Sequence, residues 1–415
     1  MKIFEGYLNK QKELNSTSAV YEHLDIAVVI PCFNEPNVVS TINNLINNQF
    51  RNIFVEIIVV FNSSEQATND QIERNDIGYS QLEKIKTNAS NIHIRCLMAK
   101  GIPVKDAGVG YARKIGMDEA IRLFLAANNP TGIILSLDAD CLVQSNYLQT
   151  IYDAFHKHPS INTAIIHIEH KMFGDKNPDL YNAGVLYELY LRYYSEMLRF
   201  AGYPYPYITI GSGFAVRADA YVKSGGMNKK NAGEDFYFLQ KLFALNGIKR
   251  INNTTVYPEI RDSGRVVFGT GPALKKIMEE GCLKTYSMEA FIGLKSFFDT
   301  LDDLYAAEEE AINQLIEQYP ESIRQFLLVN NFHSKIMEIK KNTSSLKNFR
   351  KRFFSWFNAF LIIKFLHYTH PTWYGLNNVD VLARKLYRMQ CHENVEEISN
   401  EELLLKYRNL QKNQD

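Results

Sequence analysis

From residue 26 onward, short, mostly apolar β-branched runs alternate with segments of helical length. Residues 26–30 (IAVVI) run into Pro31, 55–61 (VEIIVVF) run into Asn62-Ser63-Ser64, 93–98 (HIRCLM) follow, and 132–137 (GIILSL) run into Asp138. Runs of strand length that are apolar throughout, rather than alternating, belong to strands covered on both faces, as in a parallel sheet. Between them, 38–48 and 111–127 carry helical spacing, the second through Ile115, Ala120, Leu123 and Phe124. The order β-α-β-α-β-α-β predicts a doubly wound, mostly parallel α/β sheet with right-handed crossovers. Such sheets take ligands at the carboxyl ends of their strands, so chemistry is sought just past each strand. A further strand is expected at 163–168 (TAIIHI) and a long aromatic-rich helix at 180–200. Past residue 270 the pattern turns to helices with charged surfaces, as at 304–319 and 379–389. The expected organisation is an N-terminal segment at 1–23, an α/β domain at 24–270 and a helical C-terminal extension at 271–415, with no internal repeat.

Composition narrows the class. The chain has 415 residues, and 46 Lys+Arg balance 46 Asp+Glu, so there is no formal net charge and nucleic acid is not an expected partner. With 46% hydrophobic residues, a sizeable core is expected and a disordered chain is excluded. The five cysteines lie far apart without a C-x-x-C pair, which suits neither a zinc site nor a disulfide framework and points to a reducing compartment. The N-terminus lacks the apolar core of a secretory signal, and no run reaches the roughly 18–20 apolar residues needed to span a bilayer. The expected location is the cytoplasm, with peripheral contact at the inner membrane face left open. That contact would use 347–366, where basic KNFRKR precedes FFSWFNAFLIIKFL; the same stretch also reads as a core helix with its basic end in water.

Asp138-Ala139-Asp140 is the sharpest chemical signal. In extended chain, residues two apart point to one side, so two carboxylates converge at the rim of the sheet. A hard divalent cation, Mn or Mg, would relieve their repulsion and could bridge the oxygens of a diphosphate; the plain alternative is a solvated acidic turn. Gly233-Glu234-Asp235-Phe236 opens a helix expected at 235–245, where first-turn carboxylates either cap backbone N–H groups or supply a general base. Gly211-Ser212-Gly213 either admits a ligand close to the backbone or is a turn. In Pro31-Cys32-Phe33-Asn34-Glu35-Pro36, Asn34 and Glu35 either contact a nucleotide or cap the following helix. Arg261 and Arg265, among glycines, suit a loop folding over phosphates, or else lie on the surface. Arg113 sits in DAGVGYARK, which matches neither the dinucleotide fingerprint nor the P-loop; it reaches a diphosphate or lies on a solvated helix face. Tyr203, Tyr205 and Tyr207, just before the Gly-Ser-Gly turn, are candidates for a wall of the site, or else core.

Taken in order, VVIPCFNEPNVVSTINNL, EIIVVFNSS, GYARKIGMDEA, LSLDADC, GSGFAVRADAYVKSGGM and GEDFYFLQKL resemble the family 2 glycosyltransferases, whose nucleotide-sugar domain has the GT-A fold. The resemblance spans roughly residues 24–250. It implies inverting transfer of a single sugar from a nucleotide diphosphate sugar to a hydroxyl acceptor, glycan or lipid-linked, in cell-surface glycan or polysaccharide synthesis. By the family pattern Asp138 and Asp140 fall at the metal and donor diphosphate, with Asp140 the direct ligand. Asp235 is the base and Glu234 its neighbour in the acceptor site, with Gly211, Ser212 and Gly213 on the acceptor side. Pro31, Asn34, Glu35 and Asn62 line the nucleoside pocket, and Arg113, Arg261 and Arg265 serve the donor phosphates. One departure is Phe61-Asn62-Ser63-Ser64, where members often carry Asp-Asp or Asp-Gly-Ser, so base recognition is expected to differ. Membrane helices and the Q-x-x-R-W signature of processive members are missing from the sequence, which favours single transfer. The alternatives are a retaining GT-A transferase and a catalytically silent nucleotide-sugar-binding scaffold; PCFNEP after the first strand disfavours a nucleotidyltransferase.

Overall fold

The computed structural model describes residues 1–11, 22–85, 90–171, 177–230, 233–261 and 270–414. Helix α1 (Lys2–Leu8) precedes an α/β unit in which strands β1 (Ile26–Cys32), β2 (Val55–Ser64), β3 (Ile92–Ile102) and β4 (Ile133–Ser136) alternate with helices α2 (Val38–Ile46), α3 (Asn69–Glu83) and α4 (Val109–Ala126). Next come β5 (Leu142–Val143), α5 (Tyr147–Lys157), β6 (Thr163–Ile168), α6 (Pro178–Phe200), β7 (Phe214–Arg217), α7 (Ala218–Lys223), α8 (Glu234–Phe243), β8 (Ile248–Tyr257) and α9 (Thr270–Glu280).

The sheet order is β3-β2-β1-β4-β7-β6-β8-β5. Its first half is parallel: β1 pairs β2 with Ile26 opposite Val55, and β4 with Ile26 opposite Ile133. Every residue of β1 and β4 is buried, as unbroken apolar runs require when helices cover both faces. Beyond β4 the pairing turns mixed, β7 running antiparallel to both β4 and β6. The order reverses between β1 and β4. At such a switch point the connections leave in opposite directions and open a crevice beyond the strand ends. Into it run 31–35 from β1 and 138–141 from β4.

The extension consists of α10 (Met288–Asp299), α11 (Leu301–Ala306), α12 (Glu309–Glu317), α13 (Glu321–Val329), α14 (Phe332–Lys341), α15 (Leu346–Trp356), α16 (Ala359–Thr369), α17 (Val379–Cys391) and α18 (Asn400–Lys412), with a small ribbon of β9 (Lys284–Thr285) and β10 (Asn377–Asn378). It shares one apolar core with α6, in which the Phe297 ring lies 5.4 Å from Phe332, 5.6 Å from Phe353 and 5.4 Å from Phe357. The 347–366 stretch packs as core. Phe349, Phe353, Phe357, Ile362, Phe365 and Leu366 are fully buried, while Lys347, Lys351 and Arg352 stay exposed. The stretch breaks into two helices because Asn358 caps the second, accepting from the N–H groups of Phe360 (3.0 Å) and Leu361 (3.2 Å). Among the described residues, no helix is long and apolar enough to cross a membrane.

Helix α18 is tied to α6 by charge. Glu188 of α6, fully buried, accepts from Arg192 Nε (2.9 Å), Arg408 Nε (2.8 Å) and the His170 N–H (2.8 Å). Burial alone would raise its pKa, but Arg192, His170 and Arg408 hold the carboxyl well below the usual carboxylate range.

Candidate active site

The β1 end turns sharply at Asn34, whose φ of 51° is left-handed, a conformation asparagine tolerates better than most residues. The Asn34 N–H donates to Asn75 Oδ1 at 2.8 Å, and Asn75 Nδ2 donates to the Asn62 carbonyl at 3.0 Å. A buried amide on α3 thereby ties the ends of β1 and β2 together. Pro31, Glu35 and Asn62 are buried beside it. Glu35, expected in the nucleoside pocket, grips the guanidinium of Arg261 through both oxygens and accepts from the Asn37 N–H at 2.9 Å.

At the β4 end, Thr41 Oγ1 of α2 donates to the Ala139 carbonyl at 2.8 Å and pins the turn between the two aspartates. The Asp138 and Asp140 side chains are 33% and 27% exposed, so both remain open to solvent. Asp138 accepts from Arg113 Nη2; Asp140 Oδ2 accepts from Arg261 Nη2 at 2.9 Å. One oxygen of each, with Cys141 Sγ, lies within 4.8 Å of the others. Burial pushes the Cys141 thiol well above its usual range, and its soft sulfur suits a hard cation less well than the carboxylate oxygens do. The two carboxylates form an oxygen donor pair of the kind Mn or Mg takes.

Arg113, placed by sequence on a donor diphosphate or a solvated face, is buried and bridges Asp138 to Glu234. Two glycines make the bridge fit. A Cβ at Gly211 would stand 2.0 Å from Arg113 Nη2, and a Cβ at Gly110 would stand 2.4 Å from the Lys230 carbonyl and 2.8 Å from Glu234 Cγ. Gly211 therefore admits a guanidinium here. Ser212 is buried and Gly213 packs near Ile168. Of the expected wall, Tyr203 is buried against Phe354, while the half-buried Tyr205 and Tyr207 pack against Phe243. Arg265 lies outside the described residues. A surface concavity of about 610 Å³ along α3, lined by residues such as Asn69, Asp76 and Lys84, contains none of these side chains; its wall is one helix surface with no convergent chemistry.

Residues 23–251, just over half of the chain, match the profile of the family described as Glycosyltransferase like family 2. The chain belongs to this glycosyltransferase family. No protein of curated function matches it. Among solved structures, Staphylococcus aureus TarS 1–349 in complex with UDP-GlcNAc is 14% identical with a TM-score of 0.40, covering 79% of this chain and 90% of its own. GalNAc-T7 with UDP, GalNAc and Mn2+ is 15% identical with a TM-score of 0.38, covering 71% and 54%. Glucosyl-3-phosphoglycerate synthase from Mycobacterium tuberculosis, in complex with phosphoglyceric acid, is 15% identical with a TM-score of 0.35, covering 66% and 79%.

In this glycosyltransferase the helix α8 opens at Gly233, with φ of 65°, and carries Glu234 and Asp235 in its first turn. Burial raises the pKa of Glu234, Arg113 opposes it, and the neighbouring Asp235 adds to the rise. Asp235 is likewise raised by burial against the pull of Arg113; its Oδ1 accepts from the Phe236 N–H at 2.7 Å. A carboxylate made more basic than usual in a partly enclosed site is suited to proton transfer. Tyr187 of α6 stands near it: burial raises the phenol, the Thr270 hydroxyl contact (3.5 Å) opposes, and the Asp235 charge adds to the rise. Asn75 and Tyr187 were not legible as site residues, since each is an isolated side chain on a helix remote in sequence from the motifs, and Thr41 lies inside one of them but reads as an ordinary helix residue.

Proposed function

We propose that the chain is an inverting glycosyltransferase that moves one sugar from a nucleotide diphosphate sugar to a hydroxyl of a glycan or lipid-linked acceptor. The observation that carries this reading is the arrangement at the switch point. Two solvent-reachable carboxylates, Asp138 and Asp140, leave one strand end; Arg113 joins Asp138 to Glu234 in the first turn of α8, beside Asp235, and Arg261 pairs with Asp140. Asp138 and Asp140 would hold a divalent cation, Mn or Mg, which when bound supplies positive charge to the departing diphosphate. Pro31, Asn34 and Asn62 would meet the nucleoside, and Arg261 and Arg265 the phosphates.

The chain's own residues do the rest. Asp235 accepts the proton of the acceptor hydroxyl as that oxygen bonds the anomeric carbon, while the bond from that carbon to the phosphate oxygen breaks on the opposite face. Arg113 pairs with Asp138 and with Glu234 and so fixes the spacing between donor and acceptor sides. The experiment is a panel of UDP-, GDP- and dTDP-sugars with and without Mn2+, with the anomeric configuration of product followed by NMR. Inverted product is expected. Retained configuration would overturn the mechanism, and nucleotide binding with neither transfer nor hydrolysis would favour the scaffold reading.

A further inference from the structure

Arg261 is held by three carboxylates. Its Nη1 donates to Glu35 Oε1 at 3.0 Å and lies 3.2 Å from Glu259 Oε2. Its Nη2 meets the second oxygen of Glu35 and, at 2.9 Å, Asp140 Oδ2. Glu35 takes the two η nitrogens side by side, the forked geometry in which guanidinium–carboxylate pairing is strongest. Glu259 is tied to the same turn by Asn37 Nδ2 at 3.2 Å. The Asp140 contact differs from these: it uses one N–H, and it falls on the carboxylate that the cation would need.

The geometry points to Arg261 as a plug on the cation site. A guanidinium and a divalent cation compete for Asp140, because each needs the same negative charge and they repel one another at contact distance. A donor diphosphate relieves the competition by offering Arg261 another anion, while Glu35 and Glu259 keep the side chain at the rim. The inference rests on the donor reading above and adds a linkage to it. The cation alone is held back, nucleotide and cation each tighten the other, and by reciprocity both effects have the same size.

The test is Mn2+ binding to the full chain, read from the loss of the free-ion electron paramagnetic resonance signal, with and without UDP or GDP. The proteins are wild type, Arg261→Met and Arg261→Lys. Lysine keeps the charge but cannot span Glu35 and Asp140 together, so it separates the forked contact from the general field; it also serves if the methionine variant fails to fold. Both variants are expected to bind Mn2+ alone at least tenfold more tightly than wild type. Both should lose by the same factor the tightening that nucleotide produces, and Asp140→Asn on top of Arg261→Met should remove the gain. The plug is overturned if neither variant gains, if only the methionine variant gains, or if the gain survives Asp140→Asn. Wild type that takes up no Mn2+ even with nucleotide overturns the cation reading itself, and the plug with it.

Discussion

Alanine at position 211 tests the buried bridge at the centre of the site. The backbone there is not left-handed, so alanine brings no conformational strain and acts only through its added carbon. That carbon would stand 2.0 Å from Arg113 Nη2, 2.3 Å from Cζ and 2.5 Å from Nη1. The planar group must retreat by roughly 1 Å or more to restore ordinary contact distances. Arg113 and Glu234 are 4% and 3% exposed, so their pair separates without water to replace it. Breaking a buried pair costs about 3–5 kcal/mol and overpacking about 1–3 kcal/mol. Because the guanidinium can retreat part-way, about 3 kcal/mol is the expected loss, read as a lower urea midpoint at unchanged slope.

The same retreat removes the charge that opposes burial at Glu234 and Asp235, so both carboxyls rise further. A carboxyl raised in the folded state contributes stability below its unfolded pKa, about 4, and loses it as pH rises through the folded value. The loss should therefore be larger at pH 8 than at pH 5, and the acid limb of the transfer rate should move to higher pH. Gly213→Ala is the comparison: its carbon meets Ile168 Cγ2 at 3.2 Å and Ile210 Cγ1 at 3.3 Å, side-chain atoms that can yield, with the Ile166 carbonyl at an ordinary 3.5 Å, so less than about 1 kcal/mol is expected. A urea midpoint and pH profile for Gly211→Ala matching wild type would refute the bridge.

Asp235→Asn is expected to abolish transfer, yet to leave melting at pH 7 unchanged or higher, because it removes a charge whose burial is unfavourable; a fall in melting temperature would contradict that sign. Asp140→Asn should retain the fold, as its side chain is partly exposed, while nucleotide sugars lose their Mn2+-dependent thermal shift. Arg408→Met should cost about 3–5 kcal/mol by leaving Glu188 short of a partner. Hydrogen exchange should then show α18 opening before the sheet. The depressed Glu188 carboxyl contributes stability above about pH 4 that is lost only as pH falls through its lower folded value. Asn358→Ala removes the cap on α16 and should cost about 1 kcal/mol in a denaturant titration.

The parallel half of the sheet was legible because β1, β2 and β4 bury both faces and so write themselves as apolar runs, interrupted in β2 only by Glu56, which is buried and paired with Arg95. In the other half only β6 was, through TAIIHI. β8 reads IKRINNTTVY, with polar side chains on a partly exposed face, β5 has two residues and β7 four, so their pairing comes from neighbours rather than periodicity. The single helical pattern at 304–319 divides into α11 and α12 at Ala307, where the backbone turns extended, a break that apolar spacing does not record.

At the site, sequence located the carboxylates because each follows a strand or opens a helix. It could not locate their partners, since pairing depends on which guanidinium the fold delivers. Arg113 lies 25 residues from Asp138 and 121 from Glu234, and Arg261 lies 121 from Asp140. The glycines carried the missing information in disguise. Gly211 read as a place for a ligand to approach a bare backbone, and in the structure the close approach there is made by Arg113, as it is by Glu234 and the Lys230 carbonyl at Gly110. A glycine reports only that something large stands where its side chain would be, and whether that is substrate or protein is decided by charge. Here two arginines and at least four carboxylates converge, so the bare backbone first serves to bring opposite charges together. A donor diphosphate entering the crevice would bring further negative charge to arginines already paired. Its binding is thereby coupled to every ion pair in the site, which makes the guanidiniums, more than the aspartates, the positions where specificity can be retuned.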